Sequence, residues 1–443
     1  MSAPERLGIF LRKGGIALAL RLMAAISNYA LILCLARWLS SDDFGQFMFI
    51  LSGVTFLAVC ARLGTHVSVV RFLGIYRAQH RVDLAEGIVR AYLGAVGFVV
   101  LIFVVGTVIF LYAFKGITNE PYFYVFAAVL IFPAFTFNDT LSGILRSYGN
   151  VFWALAPKEV LWRLLTIGIC AVLLLRGATE VLNLAHVLIV SGVTLTLLVI
   201  SQSIVTHRLR RFIEGVPPTR DYAFRDWLRS TVPLWLTSVA SVSFRTLDVI
   251  LVGAFLSIAD AGSYFAASRL AELLAFILST LNLIVGPSVA RGQAKEDIQD
   301  TQKKLSLVAV FLFASSAFLF LFFMFFGHEI LGYMNEDFVS SYWVLVVLSF
   351  GHMINVMVGS AGVVLNMTGH ETVTMRIMFT TAPLALLCLA IITPIFGAVG
   401  AAFSIAGGII LLNLRLLRAV LLRTPFDPSI LGVRFLFARN RTI

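Results

Sequence analysis

Apolar residues come in runs of roughly twenty along this chain, parted by short polar segments. Coiled as helix, such a run crosses a hydrocarbon core of about 30 Å. The pattern predicts spans at roughly 15–38, 44–66, 88–113, 122–144, 152–176, 181–206, 229–255, 262–288, 305–326, 340–364, 372–393 and 399–422. Twelve spans use about 250 residues and leave only short loops, with no room for a folded soluble domain. The expected fold class is an all-α polytopic membrane protein of about twelve transmembrane helices. The opening stretch, MSAPERLGIFLRKGGIALAL, sets basic residues before an apolar run, as a secretory signal does. That run continues past Arg21 to about Trp38 without a small-x-small cleavage site, so it reads as an uncleaved first span.

Within this pattern a nine-residue phrase occurs twice. LSSDDFGQF begins at Leu39 and LSIADAGSY at Leu256, each directly after an apolar run. Leu39/Leu256, Ser40/Ser257, Asp43/Asp260 and Gly45/Gly262 match in register, and Phe47 matches Tyr264. A shift of 217 positions superimposes them and lays span 7 on span 1. A second echo, LRSYGN at 145–150 and LNMTGH at 365–370, follows spans 4 and 10. Two parallel repeats of six spans follow, an N bundle and a C bundle around a central cavity, as in transporters whose halves share one orientation. Each half then needs the same tight turn, with Gly allowing a positive φ and Asp or Ser capping the next helix. The expected domains are a six-helix bundle over 1–206, a basic linker over 207–228, a second bundle over 229–422 and a basic tail over 423–443.

Composition sharpens the class. Of 443 residues 59% are hydrophobic and 13% charged, against about a quarter charged in soluble domains. A net charge of +11 would suggest nucleic acid in a soluble protein. Here the basic residues cluster in alternate loops, among them Arg71, Arg77, Arg81, Arg146, Lys158, Arg208, Arg210, Arg291 and Lys304. Lys and Arg stay in cytoplasmic loops, so these loops are expected inside, with both termini cytoplasmic. The charge reads as topology beside anionic membrane lipids, with no nucleic-acid partner.

Catalytic signals are missing from the sequence. No Gly-rich phosphate loop ending in Gly-Lys-Ser/Thr occurs, nor GxSxG or HExxH, and the seven histidines have no metal spacing. Cys34, Cys60, Cys170 and Cys388 all sit in apolar runs without a pairing pattern. The expectation is a transporter rather than an enzyme, with no cofactor beyond a coupling H+ or Na+.

Charged groups inside spans cost about 2.5–3.5 kcal/mol each on insertion scales, so they usually face a cavity or a partner. Arg245 and Asp248 in span 7, and Arg269 and Glu272 in span 8, are three apart and share a helix face. They read either as self-neutralising pairs or as a charged wall facing an anionic cargo, with carboxylates free for ion coupling. In the first half Arg21 lies deep in span 1. Arg163 in span 5 is similar, with Glu159 as its available partner. Arg62 and Arg90 are expected to snorkel to the membrane surface. Asp139 in span 4 either coordinates a cation or satisfies itself against backbone. Arg grips phosphate in a bidentate fork and keeps its proton, so an Arg-rich cavity fits a phosphate- or carboxylate-bearing cargo.

LARWLSSDDFGQF, RFLGIYRAQHRVD, GPSVARGQAKED, VLNMTGHET and TPIFGAVGAAFS, taken in order along the chain, resemble the Wzx-type polysaccharide-unit flippases of the multidrug/oligosaccharidyl-lipid/polysaccharide (MOP) export superfamily. The resemblance implies two helical bundles around a cationic cavity, alternating access, and a bacterial inner-membrane location. It implies as cargo an oligosaccharide on an undecaprenyl diphosphate carrier, with polysaccharide polymerase machinery as a further partner. Carried over by motif position, the cationic lumen maps to Arg21, Arg245 and Arg269 and the family's acidic residue of span 7 to Asp248; the chemistry of charges inside spans adds Arg163 to the cationic substrate site and Glu272 and Asp139 to the candidates for ion coupling or charge pairing. The alternative within the superfamily is an ion-coupled small-molecule antiporter. A peptidoglycan-precursor flippase commonly carries two more spans, and a membrane glycosyltransferase needs a large outer loop with catalytic acids.

Overall fold

The computed structural model describes residues 3–113, 125–176, 182–214, 221–294 and 298–434. The described residues are almost wholly helical. The helices are α1 (Ala3–Trp38), α2 (Ser41–Ala61), α3 (Thr65–Ala78), α4 (Val82–Ala113), α5 (Phe132–Ser147), α6 (Val151–Ala156), α7 (Trp162–Leu175) and α8 (Leu184–Glu214). They continue with α9 (Phe224–Phe255), α10 (Ile258–Ala294), α11 (Ile298–Met334), α12 (Tyr342–Val358), α13 (Ala361–Met367) and α14 (Glu371–Arg423). Most described residues of the predicted spans are helical, and among the described residues eight helices are long and apolar enough to cross a membrane. Exposed Phe98, Leu101 and Ile109 on α4, and exposed Phe311, Phe318 and Phe325 on α11, form apolar faces that suit lipid and would aggregate in water. This is a multi-pass membrane protein.

Helix lengths depart from the apolar runs for physical reasons. α10 and α11 have 37 residues each, about 55 Å of helix, so they project beyond a 30 Å core. The fourth span begins with a π-helical turn, Ala127–Ile131, and the fifth contains another, Pro157–Leu161, between α6 and α7. α14 has 53 residues, too long for one span, and its Gly397 sits at φ 66°, ψ −156°. Arg415 on its second half donates to the Thr381 hydroxyl on its first at 2.9 Å. A straight helix would hold those residues about 50 Å apart. The element is therefore a hairpin turning at Gly397, and it supplies the last two spans.

The chain divides into two compact units, Met1–Val242 and Ser243–Ile443. The repeated phrases recur as repeated geometry within each unit. Ser40 caps α2 by accepting from the Asp43 amide at 3.1 Å, and Ser257 accepts from the Asp260 amide at 3.0 Å. Phe47 and Tyr264 are both fully buried. The glycines of this phrase act differently from expectation. Gly45 and Gly262 are helical and buried, outside the set of positive-φ residues, so the turn does not use them for a positive φ. Positive φ belongs to the second echo. Gly149 (φ 76°) and Gly369 (φ 81°) close the helices before them. The amide of Asn150 donates to the Leu145 carbonyl at 3.0 Å, and that of His370 to Leu365 at 2.8 Å. This is the six-to-one bond of a helix C-terminal cap.

Each unit also folds the segment after its sixth span back onto the start of its third span. In the first unit Trp227 joins the core of Tyr76, Ile88, Tyr92 and Ile144. In the second, Phe426 joins the core of Val289, Leu305, Val364 and Val420. Gln302 accepts from the Asp427 amide and donates to the Asp427 carbonyl, both at 2.8 Å. Ser306 donates to the Gly432 carbonyl at 2.8 Å.

Candidate charged sites within the two bundles

The first unit gathers charge from three spans. Arg62 ends α2, Asp139 lies in the middle of α5, and Lys158 lies in the π turn before α7. Arg62 meets the Asp139 carboxylate at 2.5 Å. The Lys158 ammonium donates to both Asp139 oxygens, at 2.9 and 3.1 Å, while lying 4.4 Å from the centre of the Phe135 ring. Asp139 therefore neither awaits a metal cation nor satisfies itself on backbone; two side-chain cations hold it. Arg62 does not snorkel, because a buried carboxylate within reach outweighs the surface. Lys158, read from sequence as a loop cation, lies inside the fifth span for the same reason. The sequence carried a signal that a partner exists, since a carboxylate inside an apolar run requires one, but none that names Arg62 and Lys158, which come from the second and fifth spans.

Arg163 and Glu159 form an ion pair at 3.3 Å. The Arg163 guanidinium also donates to the carbonyls of Ala24 at 3.1 Å and Glu159 at 2.5 Å. Ser27 of α1 donates to the Glu159 carbonyl at 2.9 Å. Arg163 is thus a buried link between the first and fifth spans. Arg21, one turn before Ala24, is exposed and has no hydrogen-bond or ion-pair partner among the described residues. Asn138 donates to Gln202 at 3.1 Å, and Gln202 to the Trp153 carbonyl at 2.9 Å, so the neighbour of Asp139 is occupied in packing spans 4, 5 and 6.

In the second unit the structure brings Asp248, Arg269 and Glu272 together. Arg269 meets Glu272 at 2.7 Å and lies 4.7 Å from the centre of the Phe265 ring. Asp248 is buried; it accepts from the Val249 amide at 2.8 Å and from the Tyr264 hydroxyl at 3.4 Å. Arg269 and Glu272 both act electrostatically on it. The side chain of Arg245 lies outside the described residues. Tyr264, from the repeated phrase, is a member of this site that sequence reading placed only in the hinge. Among the described residues no group of three His, Cys, Asp or Glu side chains could hold a metal ion.

Two bundles of this kind, each with buried charge inside an apolar shell, define the class: the fold is that of the MOP-superfamily transporters. A lipid II flippase, MurJ, in an inward closed conformation superimposes with a TM-score of 0.69 at 14% identity, over 96% of this chain and 94% of that one. An inward-facing multidrug resistance MATE family transporter of the MOP superfamily gives 0.67 at 13% identity, over 94% and 96%. A MOP superfamily transporter from Pyrococcus furiosus, whose binding pocket is described as reversed in polarity, gives 0.57 at 13% identity, over 92% and 94%. No curated protein matches the sequence. The profile of one family, described as polysaccharide biosynthesis protein, matches residues 10–286. The chain belongs to that family.

Proposed function

We propose that this protein is a flippase that turns an undecaprenyl-diphosphate-linked oligosaccharide unit from the inner to the outer leaflet of the bacterial cytoplasmic membrane. It acts by alternating access, for the synthesis of a surface polysaccharide, and has no enzymatic step of its own. The family and the likeness to a lipid II flippase support a lipid-linked cargo. The observation that carries the choice over the antiporter is the commitment of Asp139. A carboxylate held by both Arg62 and Lys158 is a poor receptor for an organic cation, whereas Arg21 is exposed and has no partner among the described residues. Arg21, Arg163, Arg245 and Arg269 are the proposed cationic substrate-binding residues, two in each unit. Asp248 and Glu272 are the carboxylates left for H+ or Na+ coupling, and Asp139 is the charge-pairing member of that set. With both termini cytoplasmic, a diphosphate moving outward travels toward the positive side. It gains on the order of 2.3 kcal/mol per charge per 100 mV, which favours export without ATP. Polymerase machinery would receive the flipped unit.

The test is lipid extraction from a deletion strain. Accumulation of a diphosphate-linked oligosaccharide, protected from glycosidase added on the outer side, is expected. Wild-type protein reverses it, and normally inserted Arg269→Ala or Asp248→Ala protein does not. A strain without build-up but with raised sensitivity to cationic drugs would replace this reading with the antiporter.

A further inference from the structure

We propose that the first unit carries a phosphoryl-binding site at its Arg-rich end, built from Arg62, Lys158 and Arg146, with Asp139 as its resident counter-ion. Arg62 and Lys158 hold the Asp139 carboxylate. Arg146, on the same helix as Asp139, bonds to the carbonyl of His66, four residues after Arg62, so the group is one cluster rather than separate pairs. The formal charges of its three cations and one carboxylate sum to +2. Arg62, Lys158 and Asp139 keep only 12%, 15% and 18% of their side-chain surface. Those three carry a net +1, and excess charge held that far from water is costly unless an opposite charge joins it.

The donors are placed to receive one. The buried Arg62 Nε and His66 Nδ1 have no hydrogen-bond partner. Arg146 is exposed. It is anchored by bonds to the Ser142 and His66 carbonyls, both at 3.3 Å, which leaves one terminal nitrogen free of both. It can reach the His66 carbonyl because α5 presses against α3 at Gly143, where a side chain would strike that same carbonyl. The exposed guanidinium thus leads inward to the half-buried ammonium and guanidinium. A phosphoryl group offers several acceptor oxygens to this set, and charge-assisted bonds from Arg and Lys are its strongest contacts. Entry requires the ligand to share or displace Asp139, so Asp139 sets the affinity as a competitor.

Two sources carry this chemistry: the diphosphate of a lipid-linked cargo and the phosphate of an anionic phospholipid. The cargo source rests on the flippase reading; the site does not. Inorganic pyrophosphate would be titrated into the purified full chain, with thermal melting as the readout. The same protein would be melted in phosphatidylcholine nanodiscs with and without phosphatidylglycerol. Lys158→Gln and Arg146→Gln are expected to weaken pyrophosphate binding about 10-fold or more, the loss of one charged hydrogen-bond donor. Asp139→Asn is expected to tighten it by about 10-fold, since the competitor is removed. Arg146 is exposed, so its variant tests the site without threatening the fold.

A pyrophosphate response altered in these directions supports the site with a cargo-like ligand. A phosphatidylglycerol response alone, lost in Lys158→Gln and Arg146→Gln, supports it with a lipid headgroup. Absence of both responses, or responses equal in all variants, overturns the proposal. Pyrophosphate binding with no stored oligosaccharide in the deletion strain would keep the site and remove the flippase reading.

Discussion

The Trp227 indole N–H donates to the Tyr76 hydroxyl at 2.7 Å, tying the start of the seventh span to α3 in the first unit. Trp227 is 1% exposed. Farther along α9, Thr231 shares a hydrogen bond with the Tyr92 hydroxyl at 2.8 Å, and Trp235 donates to the Cys60 carbonyl at 3.0 Å. These bonds make the first half of α9 part of the first unit. The exposed ion pairs of Arg81 with Asp83 and Asp221 add little, since solvent screens them. Trp227→Ala is expected to destabilise the protein by about 3–5 kcal/mol, a core cavity. Tyr76→Phe should cost about 1–3 kcal/mol, an orphaned buried donor. Thermal melting of the purified variants checks the order. Equal, small losses would show that the contact is not integral.

The second unit makes a matching contact with the segment after its last span. Asp427 and Ser429 are buried, and Asp427 accepts from the Ser429 amide at 3.1 Å and hydroxyl at 2.6 Å. Removal of residues 424–443 therefore exposes the core around Phe426 and orphans Gln302. It should lower the melting temperature clearly, whereas removal of residues 435–443 leaves those bonds intact. Gln302→Leu, which removes three bonds while keeping volume, should fall between full-length protein and the longer truncation. Melting profiles of the four proteins decide it.

The duplicated caps make a quantitative pair. Ser40→Ala and Ser257→Ala each remove an N-cap acceptor, a loss of about 1 kcal/mol. The two residues lie in separate units and share no bonding partner, so the double variant should show the sum within about 0.5 kcal/mol. Chemical or thermal unfolding of single and double variants measures this. A double variant much less stable than the sum would show that the two turns are coupled.

The repeats were legible because turn chemistry is local. Ser40 and Ser257, and Gly149 and Gly369, act within a few residues of their own position, so a short phrase records what they do. The last two spans were legible as separate apolar runs, and the turn between them falls at Gly397. The charge sites were less legible, because their partners come from other spans. The pairing of Arg163 with Glu159 and of Arg269 with Glu272 could be read from helix spacing. The grip of Arg62 and Lys158 on Asp139 could not, since it depends on three helices packing and on a π turn that no residue in 157–161 announces. Tyr264 was visible as the match of Phe47, but its bond to Asp248 arises only from the packing of α9 on α10. The role given to Gly45 and Gly262 was wrong because the Ser caps already start the helix before them, which puts both glycines inside its first turn.

The hairpin at Gly397 yields the sharpest distance prediction. Spin labels on Thr381→Cys and Arg415→Cys, in a background lacking Cys34, Cys60, Cys170 and Cys388, should report a separation below about 20 Å. A continuous helix through Gly397 would place them about 50 Å apart, so the two geometries do not overlap. Gly397→Val adds a stronger case. A β-branched residue is strained at φ 66°, while a helical conformation at that position is open to it. The variant should therefore lose stability, or shift part of the label population toward the long distance. An unchanged distance and an unchanged melting temperature would mean that packing between the two arms, through contacts such as Arg415 with Thr381, holds the hairpin closed without help from the glycine.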